Sequence, residues 1–580
     1  MSNSGYDVNR RIELWQWASC ASLLFSLLAL FFFQVLKADE YVLLASRNRL
    51  RTVRIQPPRG LIFDANGIPL ATNVRTFAIE GYPLDLKEEL LKDFAGLLSH
   101  HGIPYSFEDL SAFIARQYPV PYRAVILVSN LTLAQMAELV SDPNFPRELF
   151  PVIQWKRSYP AGAVVAHVIG YVGEISADEL SASSGGYEIG DVVGKNGIEK
   201  FCEARLRGKP GGEIVEVDAI GRRVGELGRR SPRNGENVVL TVDLASQKIA
   251  AEMLEGRKGA IVALDVKDGA VKVLYSSPSF DPAPLAWGLT RDEWKALADD
   301  PDVPMMNRAI GGSYPPGSIF KPVTLIAGLA EGVVTPRTKV YCPGRFELGD
   351  RTFRCWRSWG HGSVDAVKAL RESCDVYFYQ LGVWTGIDPI VQWAQALGVG
   401  KATGIALPGE IAGNIGGPDW KLRRFGERWY QGDTVNYAIG QGFLLVTPIQ
   451  MARLFAGIAN GGKFFRPRLI SDEPIEYNEV SLSSEILKTV QKGLEGVVRP
   501  GGTGEAAGKF GVSVAGKTGT AQNPHGEDHA WFVGYAPADK PRYVAVALVE
   551  GGGKGSEVAA PIVGRLLASL VERDGGKKRE

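Results

Sequence analysis

One uncharged run near the N-terminus constrains the fold of this 580-residue chain more than any other feature. The 23 residues from Leu14 to Leu36 carry no charge, and a helix rising about 1.5 Å per residue would span roughly 35 Å, enough to cross a bilayer core. No second run of this kind follows, and no short apolar core with an Ala-x-Ala-like exit indicates a cleaved signal peptide. The sequence predicts a cytoplasmic tail over 1–13 and a transmembrane helix over 14–36.

The orientation of this helix rests on more than the charges beside it. Arg10 and Arg11 precede the run and favour an N-terminus inside the cell, but basic residues also follow it, so the charge rule alone leaves the orientation open. A long following domain is translocated largely regardless of its charge. We therefore expect a single-pass protein of the inner membrane with its bulk periplasmic, or at least outside the cytoplasm. The net charge of +1 gives no support to a nucleic-acid partner.

Ser318 and Lys321 stand three residues apart at a predicted helix start. Tyr314-Pro-Pro-Gly breaks the chain just before the serine, and apolar residues with helical spacing follow. Both side chains would share one helix face, so the amine can reach the hydroxyl. A serine becomes a nucleophile when a base takes its proton, and a lysine can do so only with a lowered pKa. By itself this pattern occurs by chance on many helices.

Two further segments make chance improbable. Ser373-Cys374-Asp375 and Lys517-Thr518-Gly519-Thr520 follow Ser-Ile-Phe-Lys in this order, and the set resembles the active-site signature of penicillin-binding proteins and serine β-lactamases. The resemblance implies that Ser318 is the nucleophile and Lys321 the base for acylation. Ser373 would relay protons, and Lys517 would help to keep Lys321 unprotonated by like-charge repulsion.

The resemblance also implies a set of substrate-binding residues. Thr518, Gly519 and Thr520 would face the donor, with Lys517 and the threonine hydroxyls binding its carboxylate and the backbone N–H groups of Thr520 and Ser318 forming an oxyanion hole. Asp375 departs from the commoner asparagine. A carboxylate beside either lysine would raise that lysine's pKa and oppose a neutral base unless the aspartate turns away, so Asp375 is either substrate-binding or structural.

A nucleotide-binding alternative fits the letters but not the context. Gly511 to Thr518 matches the phosphate-loop pattern G-x-x-x-x-G-K-[ST]. That loop must follow a strand and open a helix, whereas this segment alternates like a strand and no helical period follows it. We interpret it as an edge strand that ends in a turn.

The segment before the catalytic region resembles the non-catalytic pedestal of class B penicillin-binding proteins. Pro57-Pro-Arg-Gly-Leu-Ile-Phe-Asp, Arg157-Ser-Tyr-Pro and Gly194-Lys-Asn-Gly-Ile-Glu carry the resemblance. We find no room for the glycosyltransferase domain of class A enzymes. The predicted organisation is an elongated, mostly-β pedestal (dimerisation-type) domain over 37–235, a transpeptidase domain over 236–572 and a flexible tail over 573–580.

The resemblance sets the fold class and the function that we expect. The fold is α/β (α+β), with an antiparallel five-stranded sheet between helices in the transpeptidase domain. The expected activity is peptidoglycan D,D-transpeptidation of the elongation type, which maintains rod shape, through a serine acyl-enzyme that β-lactams also form. The donor would be the D-alanyl-D-alanine end of a stem peptide, and slow hydrolysis is expected because no deacylating glutamate is evident. Partners would be a membrane glycan polymerase of the shape, elongation, division and sporulation family and rod-shape scaffold proteins.

Three alternatives stay open at this point. A septal transpeptidase more often carries Ser-Ser-Asn where this chain has Ser-Cys-Asp. A non-catalytic membrane β-lactam sensor would need cytoplasmic signalling machinery, for which the residues before the span offer little. A structural scaffold with a vestigial site is disfavoured by the intact Ser318, Lys321 and Lys517.

Three cysteines and one histidine predict a metal site beside the second motif. They are Cys342, Cys355, His361 and Cys374, and three sulfurs with one nitrogen suit a closed structural zinc site. A Cys342–Cys355 disulfide is the alternative for a domain outside the cytoplasm. Some elongation-type enzymes resemble this chain in having a metal site at this place, with Asp where a cysteine stands here.

Overall fold

The computed structural model describes residues 4–38, 50–116, 124–183, 185–217, 223–524 and 526–577. The chain divides into two compact units. The first contains Met1–Pro58, Arg75–Trp155 and Gly208–Gly235, and the second contains Arg59–Val74, Lys156–Arg207 and Glu236–Glu580. The segment predicted as one pedestal domain, 37–235, therefore contributes to both units.

The N-terminal helix is present and begins earlier than the predicted span. An α-helix covers Ser4–Phe31 and a π-helical turn continues it over Phe32–Leu36. Arg10–Leu36 is long and apolar enough to cross a membrane, and none of its most apolar stretch is buried in the protein. Most of the predicted tail over 1–13 is thus helical as well, while residues 1–3 lie outside the described ranges.

The first unit combines strands with helices around its own apolar core. Strands Leu50–Ile55, Gly211–Val217 and Arg223–Arg230 form an antiparallel three-stranded sheet. Helices Glu88–His100, Phe107–Arg116 and Leu133–Ser141 and strand Val125–Leu131 also belong to this unit, and strands Pro69–Gly81 and Leu149–Ser158 enter it with part of their length. The core is built from side chains such as Phe94, Leu98 and Leu127.

The second unit is organised around the expected antiparallel five-stranded sheet. Its strands are, in spatial order, Val271–Ser277, Gly259–Asp265, Tyr543–Val549, His529–Ala536 and Ala515–Ala521. Along one central strand, Ile261 and Ala263 face one apolar cluster while Val262 and Leu264 face another. This period of two is typical of a sheet buried on both faces. The predicted sheet between helices is confirmed.

Helices and short strands complete the second unit. The helices are Ala166–Ile169, Ala177–Ala182, Gly197–Phe201, Glu203–Leu206, Leu244–Met253, Pro282–Trp287, Arg291–Ala298, Arg308–Gly311, Lys321–Ala330, Ala366–Arg371, Asp375–Thr385, Ile387–Ala396, Pro418–Phe425, Gln431–Ala438, Pro448–Ala459, Ser484–Val498 and Ala559–Lys577. The short strands are Ile62–Phe63, Val172–Glu174, Val192–Gly194, Val238–Val239, Val340–Cys342, Arg345–Leu348, Arg351–Arg354, Gly362–Val364, Lys463–Phe465 and Tyr477–Glu479.

The last helix continues into the predicted tail. It covers Ala559–Lys577, so residues 573–577 are helical rather than a flexible tail, and residues 578–580 lie outside the described ranges. Asp574 lies 3.5 Å from Arg542 and Arg573 lies 4.0 Å from Asp243. Through these ion pairs the charged end of the helix contacts other parts of the second unit, which its sequence alone does not indicate.

Candidate active site

The Ser318 turn is held in place mainly by backbone contacts. Residues Gly317–Phe320 form a 3-10 turn that runs directly into the helix Lys321–Ala330. Tyr314 exchanges two backbone hydrogen bonds with Val446, both 2.9 Å long, and the N–H of Gly317 donates to the carbonyl of Gly440 over 2.8 Å. The chain break at Pro-Pro-Gly therefore becomes a rigid entry into the helix, with Ser318 partly exposed and Lys321 fully buried.

The strand that carries Lys-Thr-Gly lies against this turn. Ala515–Ala521 is an edge strand of the five-stranded sheet, as the sequence predicts, and no helix follows it directly. A Cβ atom on Gly519 would come within 3.0 Å of the Pro316 carbonyl oxygen, and one on Gly317 within 2.9 Å of the Thr520 oxygen. Glycine at these positions permits the strand and the turn to approach at backbone distance. The phosphate-loop alternative is wrong.

Lys321, Ser373 and Lys517 meet in one hydrogen-bonded chain. The Lys321 Nζ donates to the Ser373 Oγ over 3.2 Å and to the Ser373 carbonyl over 2.9 Å. From the other side, the Lys517 Nζ donates to the same Oγ over 2.9 Å. Ser373 adopts the left-handed region at φ 53, which is strained for a residue other than glycine and marks functional sites in many proteins. One hydroxyl thus connects two buried lysines.

The two lysines have different electrostatic surroundings. Burial lowers the pKa of Lys517 well below its ordinary value, and the nearby charge of Lys321 lowers it further, while Asp375 opposes the shift. Lys321 instead forms an ion pair, because the Asp375 Oδ1 lies 2.6 Å from its Nζ. The geometry therefore favours the neutral form of Lys517, and the lysine with a counter-charge is Lys321.

Asp375 does not turn away from the lysines. Its second oxygen, Oδ2, accepts a hydrogen bond of 2.9 Å from the backbone N–H of Trp356, so both oxygens have a protein partner. The side chain is almost completely buried at the first turn of the helix Asp375–Thr385. This arrangement corresponds to the structural role that the sequence left open.

The remaining predicted residues, Thr518, Thr520 and Ser318, differ in their exposure and in their hydrogen bonds. The Thr518 hydroxyl lies 2.8 Å from the Thr503 hydroxyl in a buried position. Thr520 is exposed, and its Oγ1 accepts from the Gly555 N–H over 3.4 Å. The Ser318 hydroxyl forms no hydrogen bond within the described part of the chain. It is therefore available to a ligand, although Lys321 points to Ser373 and Asp375.

The cysteine and histidine residues form a compact buried cluster. One ligand atom from each of Cys342, Cys355, His361 and Cys374 lies within 4.8 Å of all the others. The His361 Nδ1 is 3.5 Å from the sulfurs of both Cys342 and Cys355. All the cysteines are free thiols, so the alternative Cys342–Cys355 disulfide is not formed.

The spacing of these atoms suits a tetrahedral metal ion. A zinc ion with sulfur ligands at about 2.3 Å and a nitrogen ligand at about 2.0 Å would hold sulfur and nitrogen about 3.5 Å apart. A hydrogen bond with Cys374 lowers the pKa of Cys355, and Cys355 in turn, together with burial, raises the pKa of Cys374. The cluster could therefore bind a metal ion.

A contact network outside the motifs also reaches the Ser318 turn. Glu550 directly follows the strand Tyr543–Val549 and accepts a hydrogen bond of 2.6 Å from the Tyr314 hydroxyl and one of 2.9 Å from the Arg308 Nε. The Trp531 Nε1 donates to the Pro315 carbonyl over 3.1 Å. Sequence reasoning missed this network, since Val-Glu-Gly-Gly after a strand gives no signal of a distant partner.

Comparisons with known proteins agree with this architecture. Residues 259–568 match the penicillin binding protein transpeptidase domain, and residues 54–240 match the penicillin-binding protein dimerisation domain. The chain is 34% identical over 576 residues to the peptidoglycan D,D-transpeptidase MrdA of Haemophilus influenzae, covering 92% of this chain and 87% of that protein.

Solved structures agree as well. The chain is similar to the penicillin-binding protein PBP2 of Helicobacter pylori in a complex with MreC, with a TM-score of 0.83 and 30% identity over 90% of this chain and 99% of that one. It also resembles a structure described as the structural coordination of polymerization and crosslinking by a peptidoglycan synthase complex. The TM-score is 0.73 and the identity 33%, over 97% of this chain and 98% of that one.

Proposed function

Because this chain belongs to the class B penicillin-binding proteins as a D,D-transpeptidase of the PBP2/MrdA type, we propose that it cross-links peptidoglycan during cell-wall elongation and maintenance of rod shape. The observation that carries the catalytic part is the hydrogen-bonded chain Lys321–Ser373–Lys517 beside the Ser318 turn. The elongation role is supported by similarity to MrdA and to a PBP2 that forms a complex with MreC.

Ser318 attacks the carbonyl carbon of the penultimate D-alanine, and Lys321 receives its proton. Lys321 can do so after its own proton has passed through the Ser373 hydroxyl to Lys517, whose lowered pKa supplies a neutral amine. The distances of 3.2 Å and 2.9 Å to the Ser373 Oγ suit such a transfer. Asp375 then stabilises the ammonium that forms on Lys321.

The tetrahedral intermediate collapses when the bond to the terminal D-alanine nitrogen breaks. The leaving amine takes a proton from the Ser373 hydroxyl, and Lys517 then donates a proton to Ser373 in its place. An amine on a neighbouring stem peptide then attacks the Ser318 ester and loses a proton through the Ser373 hydroxyl to Lys517. The ester bond breaks as Lys321 returns its proton to the Ser318 oxygen. The N–H groups of Ser318 and Thr520 stabilise the oxyanion, and this role is supported by their place at a helix entry and on an exposed sheet edge.

The carboxylate of the donor binds beside Lys517 at the edge strand. We assign Thr520 and the backbone at Gly519 to this contact, because Thr520 is exposed there. Thr518 takes part through its hydrogen bond with Thr503, which fixes the strand. β-Lactams mimic the donor and acylate Ser318 in the same way.

Labelling with a fluorescent penicillin tests the nucleophile. We expect Ser318→Ala to abolish the covalent label while leaving the melting temperature close to that of the wild type, since the hydroxyl has no partner to lose. Retained labelling would overturn the assignment. Release of D-alanine from a stem-peptide donor, measured with a partner polymerase present, separates a transpeptidase from a β-lactam sensor, which would be acylated without turnover.

The proposed membrane placement is supported by the one helix in the described part of the chain that is long and apolar enough to cross a membrane. We propose that Arg10–Leu36 crosses the inner membrane once, with the N-terminus cytoplasmic and the chain beyond this helix periplasmic. Protease added to intact spheroplasts should digest the region beyond this helix, whereas a tag fused to the N-terminus should be protected. The expected partners are a rod-shape scaffold protein of the MreC kind and a membrane glycan polymerase, by similarity to the two complexes above.

The metal proposal is a structural zinc ion held by Cys342, Cys355, His361 and Cys374. Four protein ligands leave no open position, so the ion would fix the fold of its loops and would not act as a Lewis acid. Elemental analysis of protein purified without added zinc should find one zinc per chain. Purified protein that contains no bound metal would overturn this proposal and would leave the serine mechanism unaffected.

A further inference from the structure

An exposed pair of tryptophans lies beside the active site on the segment Trp356–Trp359, here called the aromatic loop. The loop begins after buried Cys355 and ends before buried His361. Trp356 is 58% exposed and Trp359 is 79% exposed. Two indoles with this much exposure on one short loop are unusual, because large aromatic side chains are normally mostly buried.

The aromatic loop is joined directly to the catalytic residues. The backbone N–H of Trp356 donates to Asp375, which forms the ion pair with Lys321. The indole Nε1 of Trp356 donates to the carbonyl of Glu372 over 3.0 Å, one residue before Ser373. The loop therefore has a fixed position next to the second motif, while its aromatic faces stay accessible.

Positive charge accompanies the two aromatic rings. The guanidinium of Arg357 lies 5.8 Å from the centre of the Trp356 ring and 5.6 Å from that of Trp359, within the range of a cation–π interaction. Glu372 lies 3.6 Å from Arg357 and Glu347 lies 3.2 Å from Arg345, but further exposed basic side chains on the neighbouring segments outnumber Glu347, Asp350 and Glu372. These basic residues are Arg337, Lys339, Arg345, Arg351 and Arg354.

We propose that the aromatic loop binds the glycan–peptide strand of the substrate alongside the reacting stem. The proposal rests on the function proposed above. The apolar C–H faces of sugar rings pack against indole rings, whose own face is large, rigid and partly negative. The surrounding guanidinium groups suit the carboxylates of stem peptides, because Arg binds planar carboxylates with two parallel hydrogen bonds.

The position of the loop favours the substrate over a protein or lipid partner. A polymer whose stem reaches Ser318 must pass beside the Ser373–Asp375 motif, to which Trp356 is hydrogen-bonded. Both the ring exposure and the positive charge match a strand of sugars with anionic peptides. A partner polymerase or an anionic membrane surface would also meet aromatic and basic side chains, and the experiment includes each of them as an outcome.

The test compares two ligands that differ in size. Full-length Trp359→Ala in detergent is tested for co-sedimentation with purified peptidoglycan sacculi and for the rate of acylation by a fluorescent penicillin. We expect sacculus binding to weaken about five- to tenfold, the size of one aromatic contact, with the penicillin rate unchanged because so small a ligand does not extend to the loop. Trp359→Tyr should restore most of the binding, since it keeps a stacking ring.

Trp294→Ala is the matched control, because Trp294 is 45% exposed in the same unit on the helix Arg291–Ala298. It should bind sacculi like the wild type. Binding to vesicles of anionic phospholipid and to the partner polymerase is measured in parallel. Unchanged sacculus binding by Trp359→Ala would overturn the proposal. A variant that loses only its binding to the vesicles or to the polymerase would overturn it as well. Failure of the wild type to react with penicillin at Ser318 would instead contradict the proposed function itself.

Discussion

Lys321 and Lys517 bring two basic side chains to one serine hydroxyl inside the protein. Both lysines are fully buried, and two neighbouring ammonium groups away from water repel each other strongly. Asp375 compensates the charge of Lys321 from 2.6 Å. The site therefore holds one ion pair and one lysine with a lowered pKa, which is the distribution that a proton relay through Ser373 needs.

The lowered pKa of Lys517 has a measurable effect on stability. In the folded chain Lys517 binds its proton less readily than at its ordinary pKa of 10.5. Between the lowered pKa and 10.5 the unfolded chain holds more protons, so stability rises with pH over this window. Lys517→Met lacks this dependence. We expect the unfolding free energy of the variant minus that of the wild type to be largest at lower pH and to shrink as the pH approaches 10.5.

Urea denaturation of both proteins across this pH range measures the difference. Titrating groups other than the neighbouring Lys321 and Asp375 contribute equally to variant and wild type and cancel in the subtraction. A difference that stays constant with pH would contradict the inferred charge state of Lys517.

Tyr314 is predicted to position the nucleophile through Glu550. Tyr314→Phe removes a buried hydrogen bond of 2.6 Å to a carboxylate and keeps the packing of the ring. Because the next four residues lead to Ser318, we expect the acylation rate constant to fall about tenfold, equivalent to about 1.4 kcal/mol. The dissociation constant of the non-covalent penicillin complex should change little.

Tyr159→Phe is the control for this prediction. The Tyr159 hydroxyl is also buried and accepts a hydrogen bond of 3.0 Å from the Val172 N–H, but within the described residues no hydrogen bond connects it to the Ser318 turn. Both variants should lose stability, and only Tyr314→Phe should slow acylation. Equal acylation by the two variants would show that Tyr314 contributes stability alone.

Sequence motifs predict which of these residues meet but not how each is paired. Ser318, Ser373 and Lys517 are recognisable because their spacing and order are specific to one chemistry. The partner of Asp375 cannot be recognised from the sequence, because a carboxylate after Ser-Cys can face either a lysine or solvent. Glu550 has no motif at all, and only the packing of its strand end brings it to Tyr314.

At the scale of elements, the cysteine cluster brings two strand ends together with the start of the helix Asp375–Thr385. Cys342 ends the strand Val340–Cys342, Cys355 follows the strand Arg351–Arg354, and Cys374 directly precedes the helix Asp375–Thr385. Trp356 next to Cys355 carries the hydrogen bond to Asp375. Any change that loosens the cluster therefore reaches the ion pair of Lys321.

Removing one ligand of the cluster should impair stability and catalysis together. We expect Cys355→Ser to lower the melting temperature and the acylation rate, because a metal held by the cluster would stabilise the folded state and would orient Asp375 through Trp356. A strong chelator should reproduce both effects in the wild type. Differential scanning fluorimetry and penicillin acylation measure them.

Cys202→Ser provides the comparison, since Cys202 is buried in the same unit but outside the cluster. It should keep the full response to the chelator. If the chelator leaves the wild type unchanged, or if Cys355→Ser loses stability without any slowing of acylation, the link from the cluster to Asp375 is contradicted.

The central strands of the sheet can be predicted because their sequences are strongly periodic. Strands whose pairing depends on distant segments of the chain are predicted less completely. Gly259–Asp265 and Tyr543–Val549 are apolar runs whose length predicts strands, and both are strands in the structure. The alternating sequence Asn237–Asp243 also predicts a strand, but only Val238–Val239 forms one. Its next residue, Leu240, forms an isolated bridge with Ile470, and so distant a partner has no local signal.

At the scale of the molecule, the pedestal motifs belong to the same compact unit as the catalytic sheet. Arg59 and Arg157 both pair with Glu199, at 2.9 Å and 2.5 Å, and these three side chains are largely buried. A buried carboxylate between two guanidinium groups is stable only while all partners are present. Sequence reasoning found these motifs by resemblance and interpreted them as a separate spacer, because a linear domain boundary cannot show that a segment returns to another core.

This organisation predicts the outcome of cutting the chain at the boundary that the sequence suggests. Ile62, Leu70, Val168 and Ile198 lie in one apolar cluster with catalytic-domain residues such as Ile319. A chain containing only residues 236–580 would lose these side chains and expose the apolar surface beneath them, at about 25 cal/mol for each Å². We expect it to be poorly soluble and to react slowly with penicillin, whereas residues 54–580 should melt cooperatively and react at the full rate. Expression of both fragments, followed by calorimetry and penicillin labelling, measures this, and full activity of the shorter fragment would show that the catalytic sheet is stable without the segments 59–74 and 156–207.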